Sequence, residues 1–267
     1  MNRDKLLITI VTVCYNAGDK LEKTIQSVVT QTYPFIEYII IDGASTDNTF
    51  DIATKYNKEI ALFITEKDNG IYDAMNKGIK LATGSLVIFL NAGDYFVSKD
   101  VIDIYLSKIN VRDADLFYGR IVWNDAVNKE LILSDHNNTK FQKDLMNSNF
   151  PHPATLYKKE IFNKVGFFNL TYRILSDYEW NVRALIVEKI KFQYINTIVT
   201  VFFVDGVSNS LANADTIKNE QDKIKMFYSK NAYLNYLFQK YFKNKKGKRI
   251  LELLFAKIYN KKLNRIY

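Results

Sequence analysis

Short apolar runs alternate with helical patterns through the first half of the chain. Leu6–Val13, Ile36–Ile41, Ile60–Ile64 and Leu86–Leu90 are strand-length and rich in Ile, Val and Phe, the composition of strands covered on both faces. Between them, Lys20–Val29, Thr49–Tyr56 and Ile71–Leu81 carry helical spacing. In the last of these, Ile71, Ala74, Met75, Gly78, Ile79 and Ala82 recur three and four residues apart. The order βαβαβαβ predicts an α/β sheet with right-handed crossovers.

After Asp94 the pattern loosens. Lys99–Lys108, Phe141–Ser148, Lys158–Val165 and Asp177–Glu188 read as helices; Leu116–Trp123, Glu130–Leu133, Ala154–Tyr157, Lys191–Ile195 and Ile198–Phe203 read as strands. Asn219–Lys243 and Arg249–Lys262 read as tail helices. With no internal repeat and no low-complexity linker, the expectation is one catalytic-type domain over residues 1–216 and a helical extension over residues 217–267.

Composition narrows the chemistry. At 267 residues, 48% of them apolar, a core of ordinary size can be buried, and mixed charge with 14% aromatics excludes disorder for most of the chain. The single cysteine, Cys14, excludes a disulfide framework and a cysteine-rich zinc site; the two histidines, His136 and His152, are too few for a His-rich centre. A metal here would be held mainly by carboxylates. No apolar run approaches the ~20 residues of a spanning helix, and Leu6–Val13 reads as a buried strand of an intracellular protein rather than as a leader.

Charge is divided along the chain. Residues 217–267 hold 14 Lys/Arg against 3 Asp/Glu, leaving 23 against 26 in the first 216. The basicity belongs to the tail, and the mildly acidic body argues against a nucleic-acid-binding core. Phe227, Tyr228, Tyr233, Tyr236, Leu237, Phe238, Tyr241 and Phe242 interleave with the tail's basic residues, as in an interfacial helix that meets anionic headgroups without spanning. The alternative is a tail packed on the domain, or on a second copy of the chain in a homo-oligomer, with a solvated basic face. The tail carries no nucleic-acid recognition motif.

Common nucleotide and hydrolase fingerprints are absent: no G-x-G-x-x-G follows the first strand, and no G-x-x-x-x-G-K-[ST] or G-x-S-x-G occurs. Polar clusters instead sit where the predicted strands end, at Tyr15-Asn16, Asp42–Asp47, Glu66–Gly70 and Asn91–Asp94. Ligands of open α/β sheets bind at the carboxyl ends of strands. Each cluster alone also reads as a turn or a helix cap; four together point to a site.

These segments carry a resemblance. Val11-Thr-Val-Cys-Tyr-Asn16, Ile41–Thr49 (IDGASTDNT), Asn69–Gly78 (NGIYDAMNKG), Phe89–Asp94 (FLNAGD) and Ser176–Trp180 (SDYEW) occur in the order of the family-two glycosyltransferases of the GT-A fold, and resemble most narrowly the bacterial polysaccharide-assembly members. The resemblance covers roughly residues 6–205. It implies a GT-A, Rossmann-like mixed sheet flanked by helices, and an inverting, metal-dependent glycosyltransferase of the hexosyl type. The implied donor is a nucleotide sugar, UDP-linked. The implied acceptor is a saccharide hydroxyl, lipid-linked as in capsule, exopolysaccharide or lipopolysaccharide assembly at the cytoplasmic membrane face.

By the resemblance, Tyr15 stacks on the base and Asp42 bonds its edge, with Asn16 beside them; core packing is the other reading of Tyr15. Asp94, at the metal motif, would hold magnesium or manganese, which offsets charge on the leaving diphosphate. Asn91 departs from the motif's first Asp; its carbonyl can take ribose or a metal-held water. Asp73 and Asn76 fall to donor-sugar or ribose contacts, although Asp73 also suits a helix first turn. Met75 stands where many members have a phosphate-neutralising Arg, leaving Lys77 or another basic residue for that task. Asp177 matches the base that takes the acceptor's proton, with Glu179 as the second candidate and an N-cap role for Ser176 or Asp177 as the plain reading. His152, between Pro151 and Pro153, reads as a neighbour of the acceptor or diphosphate, or as a buried structural histidine. Tyr172, Tyr178 and Trp180 could stack on a sugar or fill the core. Two other classes stay open: a non-catalytic nucleotide-sugar or glycan-binding protein on this fold, and a nucleotidyltransferase. The latter needs a Gly-rich, Arg-containing loop that Tyr15-Asn16-Ala17-Gly18 does not supply.

Overall fold

The computed structural model of the protein describes residues 6–125, 130–133, 149–203 and 211–241. The expected helix Phe141–Ser148, the expected tail helix Arg249–Lys262, and His136 lie outside these residues. The chain divides into two compact units, Met1–Ile217 and Lys218–Tyr267. The first contains the sheet, and the described part of the second is helical, belonging to helix α7 (Ala214–Tyr241).

The four expected strands form the parallel half of the sheet: β1 (Ile8–Cys14), β2 (Ile36–Asp42), β3 (Leu62–Thr65) and β4 (Leu86–Phe89), in the spatial order β3-β2-β1-β4. β8 (Thr155–Lys158) then runs antiparallel to β4, and β6 (Leu116–Asp125) antiparallel to β8. β9 (Phe192–Phe203) pairs parallel to β6. The two-residue β5 (Tyr95–Phe96) closes the far edge, and β7 (Glu130–Leu133) pairs with β6. This is the expected mixed sheet flanked by helices, with a helical C-terminal region.

Strand alternation decides which helix meets which face. On β1, Ile8, Ile10 and Cys14 join the cluster of helix α1 (Gly18–Val29) through Leu21, Ile25 and Val28. Val11 and Val13 join the opposite cluster, with Tyr72, Ala74, Met75 and Ile79 of helix α3 (Ile71–Leu81). α3 lies so close to β1 that a Cβ at Gly78 would stand 2.4 Å from a Val11 methyl. All seven residues of β1 are buried, which is why it reads as an unbroken apolar run.

Three boundaries differ from the sequence pattern. The expected strand at Ala154 begins one residue later, because the Pro-flanked segment His152–Ala154 winds into a 3-10 turn with Ala154 N donating to Pro151 O at 2.8 Å. Two expected strands over Lys191–Phe203 are one strand, with register shifts against β6 near Arg120 that accommodate the irregularity. Helix α6 (Ser176–Val182) passes at Arg183 into a π-helical turn ending at Val187, in which Glu188 N donates to Arg183 O.

Candidate active site

The strand order reverses between β1 and β4, so their C-terminal ends diverge from the sheet and leave a crevice. A cavity of about 840 Å³ opens there, within the size of small-molecule sites. The backbone bends sharply around it: Asn16 and Ala44 both hold left-handed conformations, with φ of 46° and 63°. Such conformations in non-glycine residues cluster at functional sites. Gly93, with φ of 107°, turns the loop after β4 so that Asp94 N reaches Asn91 O at 2.9 Å.

On the β1 side, Tyr15 lines the cavity with 64% of its surface exposed. Asn16 also lines it while bracing the next loop, its amide donating to Ser45 Oγ at 2.7 Å and its Oδ1 accepting from Thr46 N at 2.9 Å. Asp47 fastens two helix starts, accepting from Gly18 N and Thr49 N. Asp42 departs from expectation. It is fully buried and accepts from the Ser45 amide and hydroxyl, so its carboxylate closes its own loop and is not among the cavity-lining residues. Half-buried Asp68 lines the cavity instead: its Oδ2 lies 2.6 Å from where a Cβ on Gly43 would stand, and Tyr15 Cδ2 is 3.3 Å from that same point.

The resemblance-based contacts on α3 also fall away from the cavity. Asp73 accepts from the Asn69 amide at 3.0 Å and its side chain at 3.2 Å, bracing the helix start. Asn76 is buried and bonds both the amide and the carbonyl of Phe168, which makes it a structural clasp. Lys77 pairs with Glu66 at 2.8 Å and donates to Lys67 O; the basic side chains among the lining residues are instead Lys20 and Arg173, with His152.

At the end of β4, Asp94 is 4% exposed, lines the cavity, and accepts from Phe203 N at 3.3 Å. Burial pushes its carboxyl up to about 7, against the opposing pull of His152 and the Phe203 amide. Asn91 Oδ1 is buried without a partner among the described residues, while its Nδ2 lies 3.0 Å from His152 Nε2. One buried carboxylate beside an unpartnered amide oxygen fits a hard divalent ion that takes its remaining ligands from substrate phosphates and water. Among the described residues no group of three or more His, Cys, Asp or Glu could form an all-protein cage.

Asp177, the second residue of α6, lines the same cavity. Its Oδ1 accepts from the Tyr72 hydroxyl at 2.8 Å, its Oδ2 accepts from Asn149 Nδ2 at 2.9 Å, and His152 Nδ1 faces Oδ2 at 3.8 Å. Burial alone would raise its pKa, but these partners outweigh burial and hold it below the usual carboxylate range. Neither Ser176 nor Asp177 caps α6; Ser176 Oγ donates to Asn169 O. Glu179 is removed as a base, because it forms a buried bidentate pair with Arg183 at 3.0 Å through each nitrogen. Trp180 is removed as an acceptor platform: it is fully buried and donates Nε1–H to Gly166 O at 2.7 Å. Tyr178 is likewise buried and does not line the cavity.

Sequence reading missed Asp68, Arg173, Tyr72 and Asn149. Asp68 lies in one of the strand-end clusters and was legible as a candidate. Tyr72 is separated from Asp177 by 105 positions, and only the packing of α3 against the loop before α6 joins them.

The sequence profile of glycosyl transferase family 2 matches residues 9–176, more than half of the chain. A PGL/p-HBAD biosynthesis glycosyltransferase of Mycobacterium bovis is 27% identical, over 79% of this chain and 83% of that protein. The fold is similar to that of S. aureus TarS in complex with UDP-GlcNAc, with a TM-score of 0.59 and 16% identity over 74% of this chain and 58% of that one. It is similar to the same degree, TM-score 0.59, to the mannosyltransferase PcManGT of Pyrobaculum calidifontis in complex with GDP-Man and Mn2+, at 16% identity over 77% and 59%. The chain thus spans less than two thirds of these solved chains. The profile match over the strands that build the cavity places this chain in glycosyl transferase family 2.

Proposed function

We propose that the chain is an inverting glycosyltransferase that moves one sugar from a UDP-linked donor to a hydroxyl of a saccharide acceptor. The observation that carries this reading is the convergence in one cavity of two buried carboxylates from separate elements, Asp94 after β4 and Asp177 at the start of α6, with burial raising the first and hydrogen-bond partners lowering the second. Carboxylates pushed apart in pKa mark separate roles.

Tyr15 offers its exposed ring to the base, and Asp68 offers an acceptor to a base N–H. Lys20 and Arg173 supply positive charge toward the diphosphate. Asp94 would hold a divalent ion, with Asn91 Oδ1 toward ribose or a metal-held water; the ion supplies charge compensation on the departing diphosphate. Asp177, ionised at neutral pH, accepts the proton of the acceptor hydroxyl as that oxygen bonds to the anomeric carbon. The bond from that carbon to the phosphate oxygen breaks, and its electron pair leaves with the nucleoside diphosphate. Tyr72 and Asn149 hold the carboxylate in place. The basic segment after residue 217 supports a lipid-linked acceptor at an anionic membrane face in surface-polysaccharide assembly. Among the described residues no helix is long and apolar enough to cross a membrane.

A thermal-shift screen of UDP, GDP, dTDP and CMP sugars with Mn2+ identifies the donor, and NMR of the product gives its anomeric configuration. With that donor, Asp177→Asn keeps binding and lowers transfer by about 10²–10⁴-fold. A wild-type rate in this variant would remove Asp177 as the base, and retained configuration would overturn the inverting assignment.

A further inference from the structure

His152 is held on several sides. Pro151 and Pro153 restrict its backbone within the 3-10 turn, its ring meets Phe202 edge-on at 6.3 Å, and its side chain is 18% exposed. One ring nitrogen, Nε2, lies 3.0 Å from Asn91 Nδ2; the other, Nδ1, faces Asp177 Oδ2 at 3.8 Å. The ring therefore stands between the loop that ends β4 and the helix that carries Asp177.

That arrangement assigns the ring proton. An amide NH2 donates and does not accept, so Nε2 must present its lone pair and the proton of the neutral ring sits on Nδ1. The opposite amide orientation would bury two unpartnered N–H groups where Asn91 Oδ1 now lies, and buried orphan donors are rarer than under-satisfied carbonyls. Aimed this way, Nδ1–H points at the Asp177 carboxylate at a distance that a small ring rotation closes to a hydrogen bond. Hydrogen bonds at catalytic groups are commonly long before substrate binds.

We propose that His152 is a positioning residue for Asp177, fixed in the Nδ1–H tautomer by the Asn91 amide and thereby turned toward the carboxylate that it orients. This builds on the reading of Asp177 as the base. The contact chain itself runs Asn91 Nδ2 to His152 Nε2, then His152 Nδ1 to Asp177 Oδ2.

Two measurements test it, one independent of turnover. The chain has two histidines, so nitrogen-15 spectroscopy of the His136→Gln protein at mildly alkaline pH reports the His152 ring alone. The Nδ1-protonated neutral form is expected, and its dominance should fade in an added Asn91→Ala change. An Nε2-protonated ring overturns the proposal whether or not the chain transfers sugar. In kinetics, His152→Gln keeps an amide near the Nε2 position and loses the group facing Asp177, whereas His152→Asn returns an N–H near the Nδ1 position. His152→Gln should lower kcat by about 10–100-fold with donor KM nearly unchanged, and His152→Asn should recover much of that loss. A change confined to donor KM, or equal kcat in both variants, overturns the positioning role. A wild-type protein inactive on every donor would instead count against the functional reading, while the ring spectrum still decides the wiring.

Discussion

Asp94→Asn should make the metal-free protein more stable at alkaline pH while removing metal-dependent donor binding. Burial raises the Asp94 carboxyl from 3.8 to about 7. The folded state therefore keeps a proton that the unfolded chain has released. A group raised in this way contributes stability that is fully present below its unfolded pKa and is lost as pH rises through the folded one. Three units at about 1.36 kcal/mol each amount to about 4 kcal/mol over the whole window, of which about 3 kcal/mol falls between about pH 5 and pH 8. Asn cannot ionise and keeps an oxygen for the Phe203 amide, but it buries an NH2 at a cost of about 1–3 kcal/mol. That cost is independent of pH, so the useful quantity is the change in the variant-minus-wild-type gap, which also cancels the titrating groups that do not interact with Asp94. Urea unfolding of both proteins in EDTA at several pH values measures it. The gap should move in favour of the variant with rising pH, and added Mn2+ should stabilise the wild type alone. A gap that stays flat from acid to alkaline pH would refute the reasoning that burial holds Asp94 protonated.

Tyr15→Ala, at a ring 64% exposed, should weaken donor binding by about 1–3 kcal/mol through lost base stacking, with the unfolding midpoint nearly unchanged; calorimetric titration checks the first and a thermal melt the second. Glu179→Gln should destabilise the fold by about 1.5–3 kcal/mol, because half-buried Arg183 loses its charge partner and keeps the Val165 and Phe167 carbonyls, while kcat per folded molecule stays the same; denaturant unfolding alongside active-site-normalised rates separates the two effects. Full-length protein should co-sediment with anionic but not neutral vesicles in a salt-dependent manner, and a chain ending at Ala214 should not. Equal partitioning of the two would point to a tail that covers protein rather than lipid.

The parallel half of the sheet was legible in the chain because β1, β4 and most of β2 are buried on both faces and must be apolar there, while the half-buried edge strand β3 still shows as a short apolar run. β1 and β4 needed no partner information to be recognised, and the polar turns at their ends gave Tyr15, Asn91 and Asp94 as cavity residues. Asp177 was also legible, although the sequence carried it through resemblance rather than through spacing. What the pattern could not hold was direction and partnership. Asp42 is the last residue of β2 and Asp68 follows the end of β3 by three residues, yet the Ser45 loop folds over the first carboxylate and leaves the second beside Tyr15. Glu179 and Trp180 adjoin Asp177 in sequence, but one helical turn sends them to Arg183 and the Gly166 carbonyl. Local sequence sets which backbone a residue adopts; which face that residue presents depends on crossing distances between α3, α6 and the sheet. Those distances are decided by side-chain packing such as the Gly78–Val11 approach. For the same reason the contact of His152 with Asn91 and Asp177, residues 61 and 25 positions away, belongs to the tertiary structure alone.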